Sequence, residues 1–225
     1  LHVFERDPRE ALGLAVETGK ATNFRTALQA FYTPDALADR VVAATGIARD
    51  PVVVEAKAGK RTGRPVVLEP SVGAGALACA VIRATGGHAF IQAFDIDPVA
   101  CASASKAIPA ALREQVRLQT RDVAEIQLGY SVAEADFLKV SRRDSICFDY
   151  IAMNPPFAGG ADIRHVTHAY SLLDDGGVLA AIMWPAWRTA DTKAAEAFRA
   201  LFASASGTVE DIAPGTFEHT DMPTV

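Results

Sequence analysis

The chain has 225 residues, half of them apolar and 22% charged, the composition of one folded domain with a sizeable core. No apolar run approaches the ~20 residues of a membrane helix and no signal peptide is recognisable, while three scattered cysteines (Cys79, Cys101, Cys147) read as reduced thiols of a cytoplasmic protein, not as a disulfide frame or zinc site. A net charge of −5 argues against a domain that clings to phosphate backbones by charge alone, though it leaves room for a local basic face or a separate binding domain.

Residues 1–30 read as an N-terminal helical extension: Leu1 stands where a methionine is expected, Pro8 to Val16 suits a short helix, and a loop with Lys20 and Arg25 follows. The main domain is expected over 31–225. Thr33-Pro34 predicts a helix start, threonine capping and proline in the first turn, with Leu37, Val41 and Val42 as its apolar stripe and Gly46 as its stop. The basic, glycine-containing stretch Lys57 to Arg64 reads as a solvated loop.

From Pro65 the pattern alternates. Val66-Val67-Leu68 is a strand, a glycine-rich turn follows, and Ala76 to Thr85 is a helix ended by Gly86-Gly87. Phe90 to Phe94 is a strand and Pro98 to about Ala107 a helix, with Ala110 to Ile126 ambiguous but favouring helix. A weak strand near Ser131 to Ala135 leads to Asp136-Phe137-Leu138. Then come a strand over 148–153, a helix around His165 to Leu173, a Gly176-Gly177 turn, a strand from Val178 to Met183, a helix from Thr192 to Ala205 and a strand from Thr208 to Ile212. Strands separated by helix-length segments predict a Rossmann-like, doubly wound α/β fold with a mostly parallel sheet and helices on both faces. Seven strands are expected, the last incomplete: Pro223-Thr224-Val225 reads as a strand start, so the parent chain is expected to continue into further domains.

Asn154-Pro155-Pro156-Phe157 ends the 148–153 strand. Two successive prolines can continue neither ladder nor helix, so the backbone must leave the sheet in an extended shape. Neither carries an N–H, so the polar groups on offer are mostly acceptors, the Asn154 side-chain oxygen and backbone carbonyls, with a flat ring beside them at Phe157. Acceptors next to a ring at the carboxyl end of a strand suit a planar amine. That is the chemistry of methylating a base's exocyclic amino group or an amide nitrogen.

Glu69-Pro70-Ser71-Val72-Gly73-Ala74-Gly75 follows the first strand of the alternating region and opens a helix. Glycines there let the chain turn sharply and a ligand approach the backbone. The acid at Glu69 is unwelcoming to phosphate and suits a cation such as a sulfonium or an ammonium. Asp95, about 26 residues on, ends the second strand, where an acid accepts from ribose hydroxyls. Asp97 reads as a cap for the helix at Pro98. Asp136 before Phe137 is a candidate for an adenine edge, with Asp122 its rival, because Val116 to Asp122 also reads as strand and acid.

Phe31-Tyr32-Thr33-Pro34, the glycine loop, Asp95-Ile96-Asp97, Asp136-Phe137-Leu138 and Asn154-Pro155-Pro156-Phe157 together resemble the class I S-adenosylmethionine-dependent methyltransferases. Within them the chain is most similar to the amino-methylating DNA adenine-N6 enzymes, in the motif order called gamma. The resemblance spans about Phe31 to Met183. It implies S-adenosylmethionine as cofactor: Thr33 and Pro34 at its methionine end, Glu69, Pro70, Ser71, Gly73 and Gly75 cradling it, Asp95 and Ile96 at the ribose and adenine, and Asp136 and Phe137 at the adenine edge. It assigns Asn154, Pro155, Pro156 and Phe157 to the target base and makes nucleic acid the expected partner, DNA before RNA. The base must be flipped out or unpaired to reach such a pocket. RNA bases and protein glutamine amides are alternative substrates of similar tetrapeptides, and a noncatalytic cofactor-binding scaffold is a further alternative. The chain departs from DNA-specific members in having only Ala158-Gly159-Gly160-Ala161 where a target-recognition region is usual.

Asp162, His165 and His168 lie at helical spacing and are read as a helix face lining the substrate cleft rather than a metal site. Trp184-Pro185-Ala186-Trp187 follows a strand at the sheet's carboxyl edge, where either tryptophan could stack on nucleic acid, but both are read chiefly as packing over the last helix. Phe217 and Thr220 are assigned no chemistry.

Overall fold

The computed structural model describes residues 33–47, 53–56, 59–62, 64–118, 129–141 and 148–213. Asp35–Ala44 (α1) comes first, followed by an antiparallel pair, Val53–Ala56 (β1) and Gly59–Thr62 (β2). The expected basic loop is therefore in part a strand, Gly59–Thr62 pairing with Val53–Ala56.

Five strands then form one wholly parallel sheet. Val66–Glu69 (β3) is central, with Phe90–Asp95 (β4) and Gly129–Glu134 (β5) on one side and Phe148–Met153 (β6) and Leu173–Ala181 (β7) on the other. The connections carry Ala76–Thr85 (α2), Pro98–Leu118 (α3) and Ala161–Leu172 (α4), and Lys193–Ser204 (α5) closes the order. All six residues of β6 are buried, as parallel strands covered on both faces require. Val67, Tyr150 and Ala152 join the core under α1, α2 and α3, while their neighbours Leu68, Ile151 and Met153 join the core under α4 and α5. This alternation is the doubly wound architecture expected from the sequence.

Among the described residues the sheet has five of the seven strands expected. Thr208 to Ile212 is irregular chain, largely exposed and in none of the ladders among the described residues. Residues 1–32, with Phe31 and Tyr32, lie outside the described residues, as do Asp122, Cys147 and everything from Pro214 onward.

Three local expectations also change. α1 has Pro34, not Thr33, at its cap position, and Thr33 makes no capping bond. α3 runs on through Pro109 to Leu118, because burying Ile108 and Leu112 outweighs one missing N–H bond. β7 passes through Gly176-Gly177 as a bulge: Phe148 pairs with Leu173 and Tyr150 with Val178, and Gly176 takes the left-handed φ of +82°.

Candidate active site at the carboxyl ends of β3, β4 and β6

The chain crosses from β3 to β4 on one side and β6 lies on β3's other side, so the carboxyl ends of these strands border the crevice where sheet order reverses. The loop after β3 is shaped by its glycines. Gly73 (φ +52°) and Gly75 (φ +92°) are left-handed, a conformation that strains residues with a Cβ. Nothing lies within 4 Å of where a Cβ on Gly73 would be, so that face of the loop is open to a ligand. Val72 N–H donates to the Phe94 carbonyl at 2.8 Å, which stitches the loop to β4. Pro70 is buried and Ser71 half-buried at the start of the turn.

Asp95 closes the same loop from below. Its Oδ2 accepts from Gly73 N–H at 2.8 Å and its Oδ1 from Asp97 N–H at 2.9 Å. Burial raises its pKa, and these two N–H donors work against that rise. Ile96 sits half-buried beside it. Asp97 caps α3 as expected, accepting from Val99 N–H at 2.8 Å.

Glu69 is 2% exposed, and its Oε2 has no hydrogen-bond partner among the described residues. Burial holds its carboxyl well above the ordinary carboxylate range; the Ala78 backbone N–H opposes this and the charge of Asp95 adds to it. An orphaned buried acid under an open glycine loop fits a ligand that brings it a donor or a cation.

Across the crevice β6 delivers Asn154. Its Nδ2 donates to Thr33 Oγ1 at 3.0 Å, a bond spanning 121 residues. Thr33, read from sequence as a helix cap, is thus joined to the tetrapeptide. Pro155 is buried, Pro156 and Phe157 are half-buried, and the Phe157 ring packs against the α1–α2–α3 core.

Asp136 follows β5, where its Oδ1 accepts from Leu138 N–H at 3.1 Å and its Oδ2 lies 3.2 Å from Lys139 Nζ. Phe137 is turned inward. Its ring centroid lies 5.9 Å from His165, stacked, and 4.9 Å from His168, edge-on. The two histidines, both half-buried, face this ring. They clasp Phe137, His165 Nδ1 bonding the Ala161 carbonyl and His168 Nε2 the Val140 carbonyl, each at 2.8 Å. Burial lowers the His165 pKa, favouring the neutral ring beside an aromatic face.

Asp162 is buried, and its Oδ2 accepts from Trp184 N–H at 3.1 Å, tying the start of α4 to the segment after β7. Sequence reasoning missed this tie and the Thr33–Asn154 bond. Burial first and the charge of Asp95 second push the Cys101 thiol up to about 11, which makes it a poor nucleophile near neutral pH.

No protein-family model matches the chain and no curated protein matches it. Among solved structures, the methyltransferase subunit of a type I restriction-modification system from Streptococcus thermophilus is 16% identical, with a TM-score of 0.54 over 77% of this chain and 38% of that one. An S-adenosylmethionine-dependent O-methyltransferase from Thermotoga maritima is 10% identical, with a TM-score of 0.48 over 85% of this chain and 54% of that one. An RNA methyltransferase from Salinibacter ruber in complex with S-adenosyl-L-homocysteine is 14% identical, with a TM-score of 0.47 over 72% of this chain and 84% of that one. The first of these likenesses shows a Rossmann-like methyltransferase fold, of which this chain spans well under half the length of that subunit.

Proposed function

We propose that the chain is an S-adenosylmethionine-dependent N-methyltransferase acting on the exocyclic N6 amino group of adenine in DNA. The Asn154 side chain carries this reading. Its amide nitrogen donates to Thr33 at 3.0 Å, which fixes the orientation of the amide at the carboxyl end of β6, next to β3 and its glycine loop, and we take its oxygen as the acceptor for the target amine.

Glu69, Pro70, Ser71, Gly73 and Gly75 hold the cofactor's charged end together with Thr33 and Pro34, Asp95 and Ile96 its ribose and adenine, and Asp136 the adenine edge, with the buried Phe137 ring backing that turn from the core. S-adenosylmethionine supplies a sulfonium methyl that an amine lone pair takes up directly, the S–C electron pair returning to sulfur. The adenine amino nitrogen is a poor nucleophile because its lone pair is spread into the ring. Asn154 Oδ1 and the Pro155 carbonyl accept its two hydrogens, favour a pyramidal nitrogen and stabilise the positive charge that develops there. One such contact supplies ~3–4 kcal/mol, and holding the partners in line supplies much of the rest. Phe157 stacks on the flipped or unpaired base, and Pro156 fixes the ring's approach. The proton released from the methylated nitrogen passes to water.

The test is transfer of labelled methyl from S-adenosylmethionine to unmethylated DNA, total RNA and protein extract, by this chain and by Asn154→Ala. N6-methyladenine in DNA that disappears in the variant, with cofactor affinity retained, is the expected result. Label in RNA or glutamine overturns the substrate and keeps the chemistry. Cofactor binding without transfer to any of the three overturns catalysis and leaves a scaffold.

A further inference from the structure

The segment Trp184-Pro185-Ala186-Trp187 leaves the carboxyl end of β7 and puts its two tryptophans to opposite uses. Trp187 is buried, 5.2 Å from Phe198 edge-on and 5.0 Å from Phe202, and its carbonyl accepts from Arg199 at 2.8 Å. It anchors the segment on α5. Trp184 is 61% exposed, which is unusual for a residue type that hides most of its surface on average.

Its backbone is nonetheless fixed. Pro185 confines the preceding residue to extended geometry, observed as φ −72° and ψ 134°, and the Trp184 N–H is held by the buried Asp162 at 3.1 Å. The place matters too. Ile182 N–H donates to the Met153 carbonyl at 3.0 Å, so Trp184 lies just beyond the point where β7 and β6 part, as does Asn154 on the other strand. A cation completes the neighbourhood: exposed Arg164 donates from Nη1 to the Gly159 carbonyl at 2.8 Å, in the turn after the tetrapeptide, and its charge acts on Asp162.

We propose that Trp184 is a stacking subsite for a nucleobase next to the target, with Arg164 facing that nucleotide's phosphate. This rests on the nucleic-acid reading of the site. A rigid aromatic face beside a cation suits single-stranded or unpaired nucleic acid, because every base has a π-face and every link a negative charge. The fixed backbone means that little ordering is lost when a base lands on the ring.

Only two tryptophans occur in the chain, so Trp187→Phe leaves Trp184 as sole reporter. Single-stranded oligodeoxynucleotides should quench its fluorescence saturably, and an abasic deoxyribose-phosphate chain of equal length should not. Trp184→Ala should weaken oligonucleotide binding at least roughly fivefold with the cofactor Kd unmoved, and Arg164→Gln should weaken it and flatten its salt dependence. Should Trp187→Phe not fold, the unaltered chain with Trp184→Phe as the subtraction reads the same signal. Equal quenching by the abasic chain, unchanged affinity in Trp184→Ala, or quenching by glutamine peptides but not oligonucleotides each overturns the proposal. Quenching reads binding without turnover, so intact quenching beside absent methyl transfer sinks the catalytic reading and leaves the subsite standing.

Discussion

Replacing Thr33 by valine keeps the side-chain shape next to the α1 cap and deletes the oxygen that receives Asn154 Nδ2 at 3.0 Å. A hydrogen bond of this kind contributes a net ~0.5–1.5 kcal/mol. That is the bias holding the Asn154 amide in the orientation that offers its oxygen to an amine, and its loss lets competing orientations share the population. Converted into rate, kcat should fall between about twofold and thirteenfold. Asn154→Ala removes the acceptor itself and should cost on the order of 10²–10³-fold. Single-turnover methyl transfer with saturating cofactor measures kcat free of product release, and calorimetry gives the cofactor Kd alongside. Thr33→Ser keeps the hydroxyl and should recover most of the rate. An unchanged kcat in Thr33→Val with a weakened cofactor Kd would refute the reasoning and confine Thr33 to the cofactor's methionine end.

Two further outcomes follow from the buried acids. Because burial raises the Glu69 carboxyl above its ordinary 4.5, the folded chain keeps a proton that the unfolded chain has already released between those two values. The associated stability is full below about pH 4.5 and is lost as pH rises through the raised value. Glu69→Gln should therefore melt above the parent at pH 8, each kcal/mol appearing as about 2–4 °C, with the gap closing towards pH 4 and cofactor affinity falling. A parent that is the more stable at pH 8 contradicts this. Asp95→Asn leaves one of the Gly73 and Asp97 N–H groups facing an amide NH₂ in place of an oxygen. It should lose ~1–3 kcal/mol of stability and bind cofactor more weakly, which thermal melts and calorimetry would check.

The sequence was easiest to read where local chemistry alone decides the structure. α2 runs from Ala76 to Thr85 as expected, because left-handed glycines stand at both ends, Gly75 and Gly86. β6 is the expected six residues, since a run of buried residues ending in two prolines has few other forms. The pattern misled where tertiary burial overrode a local signal: the helix from Pro98 was expected to end near Ala107, yet α3 continues through Pro109 because Ile108 and Leu112 are in the core. In the site, the glycine loop and the tetrapeptide were visible as motifs. The Thr33–Asn154 bond was not, because spacing says nothing about a contact made 121 residues apart. The two tryptophans were indistinguishable by composition, and only the packing of Phe198 and Phe202 separates buried Trp187 from exposed Trp184.

Gly159 and Gly160, at φ +57° and +69°, form a left-handed joint between the tetrapeptide and the first turn of α4. Nothing lies within 4 Å of where a Cβ on either would be. Chain added at this joint emerges into free space and disturbs neither β6 nor the Asp162 clamp, and each doubling of such a loop costs only ~0.6 kcal/mol of closure entropy. A recognition module grafted between Gly159 and Gly160 would sit directly beside the tetrapeptide, so the fold offers a socket through which new target selectivity could be evolved or engineered while the core stays intact.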